Sequence, residues 1–503
     1  MKTVEGSRTK LVLISWNVAS WSTSLKLIRQ HYGSLGSYLD RHQVDVLCLQ
    51  ETKIQRERVS EHNISGCSEK GWESYWCCCN QSGGGGTGGS GSSASTSTSK
   101  RGFNGVATFA RKGLVKSACG DIFEEEELDN EGRCIVTDLG KVVVFNVYIP
   151  TSGMNYSKIP FKMRYLRRLR EKMRQLRETG KKVVLVGDLN IAPGAMDVYW
   201  RDKLVKLEEI ERRAREASRG SLETGAAADH QEDHKVLQVI QKVGELVPRI
   251  RARLRELKIV KIPGKGGSKP EQANRYARKE ESWKAVIQSE TDEKEIKIGK
   301  TFDHSWSAEL RLGLKELHVH DEESGERFLV WSGGLSVQHL GDLMNKALGS
   351  GFSESELKIV AKCFGYSYYS PCLIDFFNDL VTKDHMVDTF GAKYSNQAEE
   401  RFTCWEQYTN ARYENKGVRL DFVLLDEGVF NSCVKDEDYR LDGGCEKVKA
   451  TSEEAAFRCA TAWNKFTPAP FDGSGIADPP MSVYDMQFTK AHNGIVYTPP
   501  RYS

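Results

Sequence analysis

Three features are missing from the sequence, and each absence excludes a class of protein. No apolar run approaches the roughly 20 residues that a helix needs to span a bilayer. The amino terminus, MKTVEGSRTK, has no apolar signal-peptide region. The net charge is only +3, so any attraction to nucleic-acid phosphate must come from local patches. We therefore expect an intracellular protein that does not bind membranes.

The cysteine pattern excludes a disulfide framework. The chain has 13 cysteines, an odd number without regular spacing. Cys77, Cys78 and Cys79, with Cys67 upstream, invite a zinc interpretation, but three adjacent thiols do not readily converge on one tetrahedral ion. We predict free thiols in a reducing compartment.

What the sequence does contain is a set of near-continuous apolar runs, which are typical of strands buried on both faces. They include KLVLISWNV, VDVLCLQ, KVVVFNVYIP, KKVVLVGDLN and VRLDFVLL. Between two of them lies PFKMRYLRRLREKMRQLRETG, whose apolar residues repeat at helical spacing. We interpret its arginine-rich face as solvated rather than DNA-binding. The pattern predicts an α/β core.

Low-complexity and charged segments divide this core. Residues 82–100 are rich in Gly, Ser and Thr and are predicted to be a disordered insertion. Residues 1–200 are predicted to form the first part of a catalytic domain, and 201–384 a charged, helical inserted subdomain. Residues 385–503 are predicted to form the second part of the domain, with a polar insertion at about 427–481.

Five short motifs place polar residues near the ends of buried strands, where an α/β sheet opens a crevice for ligands. These residues are Asn17, Glu51, Tyr148, the pair Asp188 and Asn190, and Asp421. Asp188 and Asn190 share one face of an extended segment, and a carboxylate beside an amide suits activation of water. Glu51 and Asn17 offer oxygen ligands for Mg²⁺. Singly, each has an ordinary alternative: a helix cap for Glu51, packing for Tyr148, a turn for Asp188 and Asn190.

In order and spacing, these motifs resemble the exonuclease III branch of the endonuclease/exonuclease/phosphatase superfamily, most closely its eukaryotic AP endonuclease 2 members. VDVLCLQETK, GVATF, NVYIP, VGDLNIAP and FTCWEQYTNARYENKGVRLDFVLL follow the family's order. The resemblance covers about 1–55, 102–200 and 386–426, with 494–503 joining them. It implies a DNase I-like, four-layer α/β sandwich of two mixed sheets flanked by helices, with large insertions. It also implies a Mg²⁺-dependent DNA-(apurinic or apyrimidinic site) endonuclease with 3′–5′ exonuclease or 3′-phosphodiesterase activity in base excision repair.

The resemblance assigns roles to the motif residues. The implied holders of Mg²⁺, or of Mn²⁺ as the alternative ion, are Asn17, Glu51, Asp188 and Asn190. Tyr148 would contact the scissile phosphate, and Asp188 would orient or deprotonate the attacking water. Asn190 would brace that water, and Asp421 would hold a catalytic histidine.

The same resemblance implies contacts and partners. Lys53, Met154, Tyr408 and Arg419 are the implied DNA contacts, with Met154 as an apolar wedge. The expected partner is double-stranded DNA with abasic sites or blocked 3′ ends, in the nucleus or, alternatively, in an organelle. Eukaryotic relatives carry a clamp-binding peptide beyond the core, so a sliding clamp is a further expected partner, through a region beyond Ser503.

The family places a Ser-Asp-His triplet after the RLDFVLL motif. The Asp-His pairs of this sequence, the last being Asp384 and His385, all precede that motif. The final YTPPRYS resembles the lead-in to the triplet, with Ser503 as its first letter. We therefore expect the domain to be incomplete at its C-terminus and the chain to cleave weakly, if at all. The alternatives are a catalytically impaired DNA-binding scaffold and another phosphodiesterase or phosphatase of the superfamily.

Overall fold

The computed structural model describes residues 11–61, 71–80, 102–153, 156–219, 230–256, 283–288, 293–298, 316–321, 323–393, 402–405, 411 and 415–433. The insertion predicted at 82–100, most of that at 427–481, Met154 and Tyr408 lie outside the described residues. The chain divides into two units. The first unit comprises 1–151, 161–190 and 378–503, and the second comprises 152–160 and 191–377. The predicted division at 201 and 384 stays a prediction.

The elements of the described part of the chain are as follows. The strands are β1 Leu13–Asn17, β2 Val46–Gln50, β3 Trp72–Cys77, β4 Val106–Arg111, β5 Ser117–Cys119, β6 Cys134–Asp138, β7 Val142–Tyr148, β8 Lys182–Asp188, β9 Leu204–Val205, β10 Trp283–Gln288, β11 Glu293–Ile298, β12 Leu317–His320, β13 Arg327–Trp331, β14 Leu335–Ser336, β15 Met386–Asp388, β16 Cys404–Trp405, β17 Gly417–Val418 and β18 Asp421–Asp426. The helices are α1 Trp21–Tyr32, α2 Leu35–Arg41, α3 Glu126–Asp129, α4 Ile159–Glu178, α5 Leu207–Ser218, α6 His230–Glu256, α7 Val337–Asp342, α8 Glu354–Phe364, α9 Pro371–Thr382, α10 Thr389–Lys393 and α11 Glu427–Cys433.

The first sheet of the first unit, sheet A, has the strand order β1–β2–β4–β3. β1 and β2 are parallel and the other pairs antiparallel. Every residue of β1 and β2 is buried, as expected for strands covered on both faces. Trp21 and Ile28 of α1 and Tyr38 of α2 share an apolar cluster with Trp16 and Phe109 of the sheet. The two helices therefore cover one face of sheet A.

The second sheet, sheet B, has the order β15–β18–β8–β7–β6–β5, with β7 and β8 parallel and the remaining pairs antiparallel. Helix α4 buries Leu166, Leu169 and Met173, at the helical spacing seen in the sequence. It also contacts the sheet through Tyr165, whose hydroxyl donates to the Arg133 carbonyl at 3.3 Å. A helix thus covers sheet B as well.

An apolar cluster joins the two sheets. Its buried members are Leu13, Val46, Cys48 and Ala110 from sheet A and Val144, Val184, Val186, Val423 and Leu425 from sheet B. Burying each such Val or Leu side chain contributes about 1.5–3 kcal/mol relative to leaving it exposed. The predicted α/β fold, with two mixed sheets face to face and helices outside, is confirmed by these layers.

Five of the six arginines of α4 form ion pairs with other parts of the first unit while their side chains stay partly exposed. The pairs are Arg164–Glu127, Arg168–Glu125, Arg170–Asp384, Arg174–Asp384 and Arg177–Asp426. The Asp384 side chain is only 4% exposed. These arginines therefore brace the fold, and the Asp384–His385 pair has a structural explanation.

The second unit has its own core. Helices α5, α6 and α8 bury an apolar cluster that includes Ile210, Ile240, Val243 and Val360. Helix α8 begins with a capping box in which Ser353 and Glu356 exchange hydrogen bonds with each other's backbone N–H. No helix in the described ranges is long and apolar enough to cross a membrane.

Candidate active site

The predicted site residues of the first unit come from both sheets. Asn17 ends β1 and Glu51 follows β2, so sheet A supplies these two. On sheet B, Asp188 ends β8 and stands in register with Tyr148 of β7 and with Asp421 of β18. The parallel strands of each sheet deliver their carboxyl ends to one edge, which is where the polar residues lie.

The Asn17 amide joins the two sheets at this edge. Its Nδ2 donates to Glu51 Oε1 at 3.0 Å and to Asp188 Oδ2 at 2.9 Å. The exposed fractions are 3% for Asn17, 8% for Glu51 and 1% for Asp188. Buried polar groups are tolerated when they are hydrogen-bonded, and one amide here serves two carboxylates. The structure therefore brings Asn17, Glu51 and Asp188 into one cluster.

Asn190 fixes the other oxygen of Asp188. Its backbone N–H donates to Asp188 Oδ1 at 2.8 Å, and its side chain donates to the Ile149 carbonyl at 2.9 Å. Asn190 has a φ of 49°, the left-handed conformation that Asn tolerates better than most residues. The Asp188 carboxylate is thus oriented by hydrogen bonds to both of its oxygens.

Lys162 was not predicted from the sequence. The residue is fully buried in α4, and its Nζ donates to the Asn190 carbonyl at 2.7 Å. It lies on the apolar stripe of the helix, three residues before Tyr165 and seven before Leu169. The sequence did contain a signal for Lys162. A lysine within the apolar stripe of a helix indicates a buried ammonium group, which needs a specific partner.

Arg133 was also missed. Its guanidinium lies 4.9 Å from the centroid of the Tyr148 ring, and its Nη1 donates to the Tyr148 carbonyl at 3.3 Å. Glu131 accepts from Arg133 Nε at 2.8 Å and from Asn104 Nδ2 at 3.2 Å. Only 7% of Arg133 is exposed, so the guanidinium supports Tyr148 from inside the protein.

Two loops beside Glu51 have strained backbones. Glu51, Lys53 and Asn104 have φ values of 52°, 54° and 47°. The loops are joined by Lys53 N–H to the Asn104 carbonyl at 2.8 Å and Thr52 N–H to the Gly105 carbonyl at 3.0 Å. Non-glycine residues in this region cost on the order of 1–3 kcal/mol each and cluster at functional sites. The hydrogen bonds between the loops hold Glu51 in this conformation.

Asp421 is 4% exposed at the first position of β18. The Thr403 hydroxyl accepts from the backbone N–H of Leu420 at 3.0 Å and of Asp421 at 3.2 Å, which fixes the start of the strand. The structure therefore places Asp421 beside Asp188 on the neighbouring strand.

The donor set fits a divalent cation. Glu51 and Asp188 are buried carboxylates that share one amide donor, and two like charges in a low-dielectric site favour a bound cation. Lys53 Nζ, 2.9 Å from Glu51 Oε2, neutralises part of this charge. The described residues contain no group of three or more His, Cys, Asp or Glu side chains that could hold a metal. Mg²⁺ often binds through one or two carboxylates and keeps several waters, so Glu51 and Asp188 are the residues that could hold it.

The two amides predicted as metal ligands act as donors in this structure. Asn17 turns Nδ2 toward the carboxylates while its Oδ1 accepts from the Ala19 N–H at 3.0 Å. Asn190 turns its Nδ2 toward Ile149. Their ligand roles stay predictions, because each would require the side-chain oxygen to face the ion.

The predicted DNA contacts differ in exposure. The Lys53 side chain is 41% exposed at the rim of the site. Arg419 is only 7% exposed, donates to Asp388 at 2.7 and 3.2 Å, and lies 4.3 Å from the centroid of the Phe422 ring. These contacts give Arg419 a packing role, and its contact with DNA stays a prediction. Phe103, which was not predicted, is 65% exposed beside the Lys53 loop.

The cysteines of the described chain are free, as predicted. Burial raises the pKa of the Cys77 thiol to about 12 and that of Cys78 to about 11. Both thiols are therefore protonated at neutral pH.

Part of the chain is similar to known proteins. Residues 14–236 match the model of the Endonuclease/Exonuclease/phosphatase family. DNA-(apurinic or apyrimidinic site) endonuclease 2 of Bos taurus is 29% identical over 229 residues, which cover 38% of this chain and 40% of the relative. Exodeoxyribonuclease of Bacillus subtilis (strain 168) is 30% identical over 186 residues, which cover 37% of this chain and 61% of the relative. Residues 14–236 are therefore similar to this family, and the similar relatives include an AP endonuclease 2 and an exodeoxyribonuclease.

The extent of the similarity is limited. The matches span about two fifths of the bovine relative and three fifths of the bacterial one. The crystal structure of the Xenopus laevis APE2 catalytic domain covers 84% of this chain at 14% identity, with a TM-score of 0.40. A similarity at that score supports no inference about activity.

Proposed function

We propose that the chain is a Mg²⁺-dependent DNA repair nuclease that hydrolyses the phosphodiester 5′ of an abasic site and also trims DNA 3′ ends. The observation that carries this proposal is the Asn17 amide, which holds Glu51 of one sheet and Asp188 of the other in one buried cluster. The names of the relatives, an AP endonuclease 2 and an exodeoxyribonuclease, support DNA as the substrate.

Each side chain then has a role that its contacts allow. Asp188, with both oxygens fixed, orients the attacking water and accepts its proton. Tyr148, braced by Arg133, contacts the scissile phosphate, and Asp421 holds the catalytic histidine that the family supplies. Glu51 and Asp188 would hold Mg²⁺, which supplies charge neutralisation at the phosphate and the leaving oxygen.

The rim of the site suits double-stranded DNA with an abasic site or a blocked 3′ end. The exposed Lys53 ammonium offers a phosphate contact, and the exposed Phe103 ring beside it offers an apolar surface for sugar or base. A nuclear location and a sliding clamp partner follow from this role as further proposals.

The test is Asp188→Asn in the full-length gene product. Loss of a positioned acid/base group should lower the rate of abasic-duplex cleavage by about 10²–10⁴. Asp138→Asn is the matched control, because Asp138 ends β6 and pairs with Lys181, which precedes β8 at the end opposite Asp188. Unchanged cleavage by Asp188→Asn would contradict the proposal.

Substrate comparison tests the class of reaction. The full-length gene product should cleave abasic duplex and recessed 3′ ends faster than an inositol phosphate or poly(A). Faster hydrolysis of either of those substrates would replace the repair proposal with another phosphodiesterase or phosphatase activity. The chain 1–503 and the chain carried through a Ser-Asp-His triplet should be assayed in parallel, and equal rates would refute the expected requirement for the triplet.

A further inference from the structure

A buried pair of amides connects the two sheets beneath the site. Gln50 is the last residue of β2 in sheet A, and Asn146 lies in β7 of sheet B. Gln50 Nε2 donates to Asn146 Oδ1 at 2.7 Å, and neither side chain has any exposed surface. Gln50 Nε2 also lies 3.1 Å from Ser15 Oγ of β1. We call the Gln50–Asn146 contact the amide bridge.

The other end of Asn146 reaches a further strand of sheet A. Its Nδ2 donates to the Ala107 carbonyl at 2.9 Å and to Thr108 Oγ1 at 3.2 Å. Both residues belong to β4, which pairs with β2. One side chain of sheet B therefore bonds to two adjacent strands of sheet A.

The amide bridge differs chemically from the apolar cluster that joins the two sheets. The cluster that joins the sheets consists of aliphatic side chains such as Val46, Val144 and Val186. Apolar packing is not directional, and it tolerates small displacements between the sheets. Hydrogen bonds depend on distance and angle, and a buried amide without partners is costly. The Gln50–Asn146 hydrogen bond therefore forms in only one relative position of the sheets, while Gln50 Oε1 has no hydrogen-bond partner among the described atoms.

Both residues of the amide bridge lie next to residues of the candidate site, one on each sheet. Gln50 directly precedes Glu51 and stands in register with Asn17. Asn146 lies two residues before Tyr148, so both side chains leave β7 on the same face. The site itself is divided, with Asn17 and Glu51 on one sheet and Tyr148 and Asp188 on the other. A slip between the sheets would separate these two halves.

We propose that Gln50 and Asn146 are positioning residues that hold the two halves of the active site in register. This inference rests on the proposed nuclease function. It predicts that the amide bridge matters for catalytic rate more than for folding, because aliphatic residues of similar shape can fill the same space.

The test compares paired variants of the full-length gene product. Gln50→Met, Asn146→Leu and the double variant remove the hydrogen bonds while retaining volume. The kcat for abasic duplex should fall by about 10–10² with KM little changed, since a misplacement of about 1 Å costs roughly 10²-fold. The double variant should keep the thermal midpoint of the parent. Thr137→Val is the matched control, because Thr137 is fully buried in β6 and its hydroxyl has no hydrogen-bond partner among the described atoms.

A rescue variant separates positioning from packing. Gln50→Asn combined with Asn146→Gln moves one methylene from one sheet to the other and keeps the combined reach of the two amides. It should recover most of the lost kcat. A double apolar variant with the parent's kcat, or a swap that recovers nothing, would overturn the inference.

If the parent protein cleaves no DNA, the proposed function is refuted but the positioning role is not. A spectroscopic measurement then tests the positioning role separately. The Asn17 side-chain amide donates across the two sheets and should be protected from hydrogen exchange. Its exchange, followed by ¹⁵N-asparagine labelling, should be at least about tenfold faster in the double apolar variant. Equal protection in both proteins would overturn the positioning role.

Discussion

The two units of the chain place their polar groups in different ways. In the first unit, the contact between the sheets contains the amide bridge, and its edge contains Asn17, Glu51 and Asp188, all buried. In the second unit, the core cluster is apolar, buried polar side chains such as Lys203 lie outside that cluster, and ion pairs such as Lys242–Glu356 join partly exposed side chains.

The difference shows which part of the molecule contains energetically unfavourable local structure. Buried polar groups and left-handed backbones each cost free energy relative to apolar packing and relaxed loops. In the first unit, four of the non-glycine residues with positive φ lie at this edge, namely Glu51, Lys53, Asn104 and Asn190. Proteins retain such unfavourable local structures mainly where the resulting geometry serves a functional site. This contrast supports an active site in the first unit and a packing role for the described core of the second.

The largest effect that we expect from this difference between the units is a loss of kcat on substitution of Lys162. Lys162→Met should lower kcat for abasic duplex by about 10²-fold, because the loop that carries Asn190 loses its anchor and reacting groups move by about 1 Å. Steady-state kinetics and a thermal melt together provide the measurement. Lys172→Met is the matched control, since Lys172 lies on the same helix and pairs with the exposed Glu124. If kcat were unchanged in Lys162→Met, the position of Asn190 would not depend on its hydrogen bond with Lys162.

The example of Lys162 shows what the sequence could and could not predict. The strands, their order and the polar residues at their ends follow from local apolar runs, because burial on both faces leaves a local signature. Contacts between distant segments leave none. Gln50 and Asn146 are separated by 96 positions, and neither has a local reason to be paired.

Arg419 shows what packing adds to the sequence. The resemblance implies a DNA contact for this residue, and the structure places Asp388 and two phenylalanine rings around it. Lys53 and Arg419 look alike in the sequence as cations beside acidic site residues. Only the packing distinguishes the exposed ammonium from the buried guanidinium.

Ile240 tests the other side of the contrast. The residue is fully buried in the core of the second unit. Ile240→Val should lower the free energy of unfolding by about 0.5–1.5 kcal/mol, because it removes one buried methylene. The kcat at a temperature well below the melting transition should stay at the parental value. A selective loss of kcat, without a shift of the denaturant midpoint, would show that this core serves the reaction after all.

Glu356 offers the smallest effect, and it depends on pH. Burial alone would raise the pKa of this carboxyl, but hydrogen bonds from Lys242 and Ser353 lower it from 4.5 to about 2. Because the folded-state pKa is depressed, the stabilisation is complete above pH 4.5 and is lost as the pH falls from there toward 2. For a pair this close to solvent, the contribution should be below about 1 kcal/mol. Denaturant unfolding of the parent and of Glu356→Gln should therefore differ at pH 7 and converge near pH 2. A difference that persists at pH 2 would mean that the capping geometry of Ser353, rather than the charge of Glu356, stabilises α8.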